Sequence, residues 1–270
     1  GSHIIKLLSK EGRYEFKALH YSGFKPKGLE NIDIVWVQGN IIEPGILEDF
    51  LSGVDLVIHT AAMVSFDKAD KERMYNINVE GTKLLVNHLL HTDVKLIHIS
   101  SISTLGRKTG TYNIDESVFW DDNLPHTDYA HSKFLAEMEV YRGLGEGLEA
   151  MILLPSIVLG SSERNQSSSN IWTQIDKFPK FAPSGLNGFV DVMDVAAYVQ
   201  ASIKHFHSGQ KFIISNSNLH YKSLYEKALV SIDRKVKVWA LSPKVLLILL
   251  PFIKLFFFVS GKKAIVSKAV

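Results

Sequence analysis

The chain has 270 residues, of which 46% are hydrophobic and 21% charged, which is typical of a globular protein with one large or two small domains. Its formal net charge is +2, and positive and negative residues are interspersed along the chain without a basic stripe. We therefore expect no nucleic-acid partner. It has no cysteine, which excludes disulfides and thiolate metal sites and favours a cytoplasmic location. The histidines do not show the spacing of the H-E-x-x-H motif, and we predict no metal site.

Apolar runs rich in valine and isoleucine alternate with helical patterns over the first part of the chain. The predicted helices span residues 2–10, 45–52, 71–92 and 128–144. The predicted strands span residues 14–19, 33–38, 55–60, 94–100 and 150–155. These strands are apolar on both faces, as in a covered parallel sheet, and parallel strands need crossover connections. The alternation therefore predicts an α/β fold with a Rossmann-like, doubly wound parallel sheet.

The pattern changes after residue 160. A polar loop is predicted over residues 160–170, a strand running into a helix over 187–205, a further strand over 211–216, and helical structure over the last fifty or so residues. We expect a dinucleotide-binding domain over 1–160, completed by about 186–216. A smaller substrate lobe would comprise residues 161–185 and 217–270.

Residues 245–259 form the most apolar stretch of the sequence. The stretch is shorter than the roughly 20 residues of a membrane-spanning helix, and Pro251 and Lys254 interrupt it. A buried or subunit-contact helix is the favoured interpretation. Contact with a membrane surface or a lipid-like substrate is the alternative.

Tyr129 and Lys133 lie four positions apart within a predicted helix, so their side chains share one helical face. A free tyrosine has a pKa of about 10 and is a poor proton shuttle at neutral pH. A nearby ammonium group favours the phenolate, and a tyrosine tuned in this way exchanges a proton with a carbonyl or alcohol oxygen. The same spacing also occurs by chance on solvated helices, so its meaning depends on the neighbouring motifs.

A serine-rich turn follows the predicted strand 94–100. Ligands gather at the carboxyl ends of the strands in a doubly wound sheet. A serine at this place can hydrogen-bond the substrate oxygen that Tyr129 protonates, and the candidates are Ser100, Ser101 and Ser103. Ordinary turn chemistry is the alternative role for these serines.

Several motifs follow one another in a specific order. They are VDLVIHTAA at 54–62, NVEGT at 78–82, SS at 100–101, YAHSK at 129–133, LLPSIVLG at 153–160 and GFVDVMDVA at 188–196. With these motifs the chain resembles the extended short-chain dehydrogenase/reductase superfamily, often called the NAD-dependent epimerase/dehydratase family, over nearly all of its length. Within that superfamily it is most similar to the dihydroflavonol-4-reductase and 3β-hydroxysteroid dehydrogenase branch.

The resemblance implies a catalytic serine, tyrosine and lysine at Ser101, Tyr129 and Lys133. Tyr129 would be the general acid/base, and Lys133 would hold the nicotinamide ribose and lower the tyrosine pKa. The resemblance also implies a bound NADP or NAD. The residues that it places along this cofactor are Gly1, His20, Tyr21, Asn40, Ile41, Thr60, Ala61, Ala62, Lys133, Pro155, Ser156 and Val158.

The sequence departs from the family at the glycine-rich phosphate loop. The chain begins GSHIIKLL, where Gly1 would be the third glycine of that loop, so the family's first strand and first two glycines are not in the sequence. Alternatively, Gly1–His3 is a leftover tag. The missing strand would lie in the middle of the sheet, and without it two rows of backbone groups would be unpaired.

Two further departures concern the adenosine half of the cofactor. Asn40 stands where relatives usually carry an aspartate, and its amide can still bond the adenine edge. No acid follows the strand at 14–19 to hold a ribose 2′-hydroxyl, whereas Lys25 and Lys27 are close enough in sequence to reach a 2′-phosphate. The sequence therefore favours NADP over NAD.

The favoured function is an NAD(P)-dependent oxidoreductase that acts on a ketone or secondary alcohol of a medium-sized apolar molecule. A sugar-nucleotide epimerase or dehydratase that retains its cofactor is one alternative, and a non-catalytic cofactor-binding protein is another. We expect a small-molecule substrate and a homodimer built from the helices at 71–92 and 128–144.

Overall fold

The computed structural model describes residues 1–21, 23, 25–106, 114–160, 170–242 and 245. The chain divides into two units. The first unit comprises Gly1–Glu163 and Val190–Ile214, and the second comprises Arg164–Phe189 and Ser215–Val270.

Eleven strands and eight α-helices lie in the described part of the chain. The strands are β1 (Phe16–His20), β2 (Ile34–Gln38), β3 (Leu56–His59), β4 (Lys95–Ile99), β5 (Ala150–Pro155), β6 (Ile157–Leu159), β7 (Phe181–Pro183), β8 (Leu186–Asp191), β9 (Lys211–Ile214), β10 (Ser217–His220) and β11 (Trp239–Leu241). The helices are α1 (Ser2–Leu8), α2 (Ile46–Leu51), α3 (Lys71–Tyr75), α4 (Gly81–Leu89), α5 (Asp128–Gly145), α6 (Asn170–Lys177), α7 (Val192–Lys204) and α8 (Tyr221–Ser231). A π-helical turn, Asn76–Glu80, joins α3 to α4.

The first unit is built on parallel strands, which confirms the predicted fold class. Strands β3, β4, β5 and β9 form one parallel sheet in the order β3-β4-β5-β9, and β1 pairs with β2 in a second parallel pair. Within the described residues, β1 pairs only with β2 and β3 pairs only with β4.

Successive residues of the central strands point to opposite faces of the four-stranded sheet, and both faces are covered. On one face Leu96, Ile152 and Leu154 lie in an apolar cluster with residues of α4 and α5. On the other face Ile97 and Met151 pack with residues of α1 and α7. This covering explains why the strands lack the apolar–polar alternation of a half-exposed sheet.

Helix α5 is fixed at both ends by local chemistry. The side chain of Thr127 caps its N-terminus by accepting a hydrogen bond from the Ala130 amide at 3.0 Å. Near its C-terminus, Gly143 faces α4, and a Cβ there would lie 2.7 Å from a methyl group of Val86. The absence of a side chain at Gly143 therefore allows α5 to pack closely on α4, directly over the sheet.

The second unit contains three strands that the sequence did not predict, β7, β10 and β11, whereas β8 confirms the strand predicted at the start of 187–205. Strand β7 pairs in parallel with β11, and β8 pairs antiparallel with β10. Its apolar cluster comprises Ile175, Ala182, Tyr225, Leu229 and Val238. The prediction of helical structure over the last fifty or so residues is therefore wrong for β11, although α8 confirms it in part.

Most of two predicted segments lie outside the described residues. These are the polar loop, of which 161–169 are not described, and the apolar stretch, of which only Val245 is described. In the described part of the chain, none of the helices combines the length and the apolar character needed to cross a membrane.

The packing of β4 predicts that shortening one of its buried side chains greatly lowers the free energy of unfolding. Leu96 is fully buried, so Leu96→Ala should lower the free energy of unfolding by about 2–5 kcal/mol, through lost burial and a residual cavity. Val35 on β2 is 60% exposed, and Val35→Ala should cost at most about 1 kcal/mol. Urea unfolding of both variants measures the difference, and equal losses would contradict the described core.

Candidate active site

The residues predicted to carry the chemistry converge at one edge of the four-stranded sheet. Thr60 follows β3, Ser101 lies just after β4, and Ser156 follows β5. Because β3, β4 and β5 run parallel, their carboxyl ends meet at the same edge. Tyr129 and Lys133 reach this edge from the first two turns of α5.

Ser101 is the serine that contacts Tyr129. The Ser101 side chain lies beside the Tyr129 hydroxyl and acts to lower its pKa. Ser101 also caps a short 3₁₀ turn, Ile102–Thr104, by accepting from the Ser103 amide at 3.2 Å, and the Ser103 hydroxyl donates to it at 3.0 Å. Ser100 makes a different contact, to Glu137 on α5. The structure thus separates the three candidate serines, which the sequence left equivalent.

The pKa of Tyr129 differs from the sequence-based expectation. Burial raises it above its ordinary value, and the neighbouring Ser101 side chain offsets part of that rise. The expected lowering by Lys133 is wrong for this structure, in which the Lys133 ammonium donates to the backbone carbonyl of Ile99 at 2.8 Å. Tyr129 is therefore a neutral phenol at physiological pH, with a proton to donate.

Lys133 is a buried cation. Only 3% of its surface is exposed. Burial lowers the pKa of Lys133 to about 8, and the carboxylate of Glu137 acts in the opposite direction. Near neutral pH Lys133 is mostly charged, and little additional desolvation is needed to remove its proton.

Two histidines lie on the same face of the sheet as Lys133. His59 and His98 are opposite each other in the β3–β4 pair, with ring centroids 5.2 Å apart. His59 bonds the Thr82 hydroxyl at 3.0 Å, and burial lowers its pKa to about 3. Burial likewise holds the pKa of His98 well below its ordinary value. Both rings are neutral at pH 7, as expected for core histidines beside an ammonium group.

Asn78 holds the loop after β3 in place. Its amide oxygen accepts from the Met63 amide at 2.7 Å, and its amide nitrogen donates to the Met63 carbonyl at 2.9 Å. The same nitrogen donates to Ser132 on α5 at 2.9 Å. The sequence pointed to the NVEGT motif without giving its role, which is to join this loop to α5 next to Lys133.

Phe66, which the sequence did not single out, lies beside Tyr129. Its ring is edge-on to the tyrosine ring at a centroid distance of 6.2 Å, and 54% of its surface is exposed. It offers an apolar face next to the reacting hydroxyl.

The residues expected along the nicotinamide half of the cofactor fit such a group. Thr60, Ala61 and Ala62 are exposed at the end of β3, and a Cβ on Gly1 would lie 3.3 Å from the Thr60 hydroxyl. The Ser156 hydroxyl is buried without a hydrogen-bond partner. A bound carboxamide would give that hydroxyl a partner, because buried polar groups are normally paired. Pro155 is buried beside it and Val158 is half-buried.

A cavity of about 270 Å³ lies where the adenosine half is expected. It is lined by Asn40, Ile42, Ala69, Glu72, Arg73, Asn76 and Ile77. Asn40 is placed as predicted. Ile41 is not, because its side chain is buried against Gly81 in the core, and Ile42 lines the cavity instead.

The end of β1 carries the other predicted adenosine contacts. His20 packs edge-on against Trp36, and its Nδ1 is buried without a hydrogen-bond partner. Tyr21 is 62% exposed, with the guanidinium of Arg73 5.9 Å from its ring centre. Lys25 lies 5.6 Å from the Trp36 ring. Arg73 is a cation at this place that the sequence did not indicate.

In the described part of the chain, no cluster of three or more potential metal ligands occurs.

The burial of Lys133 predicts a pH-dependent stability. Its pKa is lower in the folded chain than in the unfolded chain, so the unfolded state binds more protons above pH 8 and stability rises with pH in that window. From pH 8 to about pH 9.5, this contribution amounts to about 2 kcal/mol, at 1.36 kcal/mol per unit. Lys133→Met should lack it, whereas Lys83→Met, at an exposed lysine, should retain it. Urea unfolding at several pH values tests this, and an unchanged slope in Lys133→Met would contradict the burial.

Comparison with known proteins assigns the family. Residues 1–216 match the NAD dependent epimerase/dehydratase family. A putative dihydroflavonol 4-reductase from Synechocystis sp. is 26% identical over 232 residues, which cover 83% of this chain and 67% of the relative. The 3 beta-hydroxysteroid dehydrogenase type 7 of Mus musculus is 27% identical over 169 residues, covering 59% of this chain and 46% of the relative.

The fold is also that of solved structures. A crystal structure of the protein gox2253 is 22% identical to this chain, with a TM-score of 0.83, and the likeness covers 99% of this chain and 82% of that one. The chain spans about two thirds of the length of the putative dihydroflavonol 4-reductase. By its sequence match and its parallel sheet, the chain belongs to the NAD dependent epimerase/dehydratase family, within the extended short-chain dehydrogenase/reductase superfamily.

Proposed function

We propose that the chain is an NAD(P)-dependent oxidoreductase that reduces a ketone, or oxidises a secondary alcohol, on a medium-sized apolar molecule. The juxtaposition of Tyr129 and Ser101 carries this proposal. It joins a proton donor and a second hydrogen-bonding hydroxyl at the carboxyl edge of the sheet. Lys133 supplies a buried positive charge from the next turn of the same helix.

Each of the three residues has a distinct task in this proposal. When bound, the nicotinamide cofactor supplies or accepts the hydride. Tyr129 donates its phenolic proton to the carbonyl oxygen during reduction, and Ser101 bonds the same oxygen and orients it. Lys133 would bond the hydroxyls of the nicotinamide ribose.

An apolar, ring-shaped substrate is favoured by two observations. Phe66 exposes an aromatic face beside the Tyr129 ring. Two relatives are named for a dihydroflavonol and a 3β-hydroxysteroid, which are both polycyclic compounds. A sugar-nucleotide substrate is the alternative.

Removal of the phenolic hydroxyl tests the function. Tyr129→Phe should reduce turnover by about 10²–10⁴-fold, because the proton donor is lost, while cofactor binding stays near the parent value. The measurement is oxidation of NADPH or NADH in the presence of polycyclic ketones that the parent reduces. Tyr198→Phe, at an exposed tyrosine on α7, is the matched control.

Two outcomes would contradict the proposed reaction. Parent-level turnover by Tyr129→Phe would exclude Tyr129 as the acid. Conversion of a sugar nucleotide without net consumption of reduced cofactor would identify an epimerase instead. If the parent binds cofactor and turns over no member of either substrate class, the non-catalytic alternative is favoured.

We further propose that NADP is the preferred cofactor. Arg73 and Lys25 lie beside Tyr21 and Trp36 near the end of β1, where a 2′-phosphate is expected. No carboxylate follows β1 directly to bond a 2′-hydroxyl. The expected homodimer and small-molecule partner remain predictions, as does the cytoplasmic location.

The cofactor preference is tested by fluorescence titration with NADPH and NADH. The parent should bind NADPH more tightly, and Arg73→Ala should weaken NADPH binding about tenfold, equivalent to about 1.4 kcal/mol, with little effect on NADH. Lys83→Ala removes an exposed cation from α4 and should change neither affinity. Tighter binding of NADH by the parent would overturn the preference.

A further inference from the structure

We infer that Glu137 is a positioning residue of this site, which holds the turn that carries Ser101 and balances the charge of Lys133. This inference rests on the proposed function, because it assigns a task within the same site. Glu137 was not singled out by any motif, and it is almost completely buried, with 2% of its surface exposed.

The first observation is the position of Glu137 on α5. Tyr129, Lys133 and Glu137 follow one another at intervals of four residues. Residues spaced in this way lie above one another on the same helical face. The face that presents the tyrosine and the lysine therefore presents the carboxylate one turn further into the protein.

The second observation is the pair of hydrogen bonds that surrounds Ser101. One carboxylate oxygen of Glu137 accepts from the Ser100 hydroxyl at 2.7 Å and from the Thr104 hydroxyl at 2.9 Å. Ser100 directly precedes Ser101, and Thr104 is the last residue of the 3₁₀ turn that Ser101 caps. Glu137 thus ties both ends of this turn to the helix that carries Tyr129, and hydrogen bonds to a charged acceptor are the stronger kind.

The third observation is the balance of buried charge. A buried ion is costly unless it is paired. The other carboxylate oxygen of Glu137 lies 3.6 Å from the Lys211 ammonium on β9, and Glu137 also acts electrostatically on Lys133. Glu137 is therefore ion-paired with Lys211, which has 13% of its side chain exposed, and its charge also favours the protonated form of Lys133.

The other titratable groups around Lys133 and Glu137 do not supply this negative charge. His59 on β3 and His98 on β4 are neutral at pH 7, and Lys211 on β9 is a cation. On α5 itself, burial raises the pKa values of Tyr129 and Tyr141, so both are neutral phenols. Replacing the Glu137 carboxylate with an amide should therefore favour the uncharged form of Lys133.

The test compares Glu137→Gln with Glu139→Gln. Glu139 lies on the same helix but pairs with Arg142 near the surface, at 2.9 Å, so it is a matched control. Binding of NADPH and NADH is followed by nicotinamide fluorescence between about pH 6.5 and 9.5, and unfolding is measured over the same range. The parent and Glu139→Gln should lose affinity as the pH rises through about 8, where Lys133 loses its proton. Glu137→Gln should lose affinity about one pH unit lower.

A second variant distinguishes the effect of the Glu137 charge from that of its hydrogen bonds, and it serves as the test if Glu137→Gln does not fold. Thr104→Val removes one hydrogen bond and leaves the carboxylate charged. It should keep the parent pH midpoint for cofactor binding and reduce Tyr129-dependent turnover about tenfold, by loosening the turn. A shifted midpoint together with unchanged turnover in Thr104→Val would overturn the inference.

The outcomes distinguish this inference from the proposed function. A parent protein that binds cofactor, with pH profiles of Glu137→Gln and Glu139→Gln that coincide, would overturn the role of Glu137 and leave the function intact. A purely structural role would lower the unfolding temperature of Glu137→Gln without moving the pH midpoint, and would overturn it as well. A parent that binds neither cofactor at any pH would overturn both proposals.

Discussion

The burial of the Lys133 ammonium is the constraint on which the site depends. A charge with 3% exposure has to be held by fixed dipoles and an opposite charge, or it loses its proton. In this chain the dipole is the Ile99 carbonyl at the end of β4, and the opposite charge is Glu137 one turn along α5. Both partners are parts of the packed sheet and helix, so the position of the lysine is set by the core rather than by a loop.

The same constraint links the tyrosine to the serine turn. The backbone carbonyl that holds Lys133 belongs to β4, and the turn that carries Ser101 begins two residues later. Glu137 bonds that turn on both sides of Ser101, and the hydroxyl of Ser101 lies beside that of Tyr129. One helix and one strand end therefore determine the relative positions of all three proposed catalytic groups. Such preorganisation lets a site act without reorganising during the reaction.

Much of the fold followed from the sequence, because the parallel strands are short, apolar on both faces and separated by helical patterns. In the regions that were predicted less well, the local sequence pattern does not indicate clearly whether a segment is a strand or which way a side chain points. Strand β11 in the second unit has only three residues, two of them exposed, and its pairing with β7 depends on a partner almost sixty residues earlier. Ile41 was expected at the cofactor, yet it fills space against Gly81 in the core, whereas Ile42 faces the cavity.

The sequence by itself determined which residue types are available and in which order, and this order identified the superfamily and selected Ser101, Tyr129 and Lys133. It did not determine how those side chains act on one another, because pKa values depend on burial and on partners that are distant in sequence. The tertiary structure raised the pKa of Tyr129 where proximity to Lys133 alone implied the opposite. Only the packing of α5 against β4 and β9 brought Glu137, Lys211 and the serine turn together, since electrostatic interactions depend on distance in space and on exclusion of water.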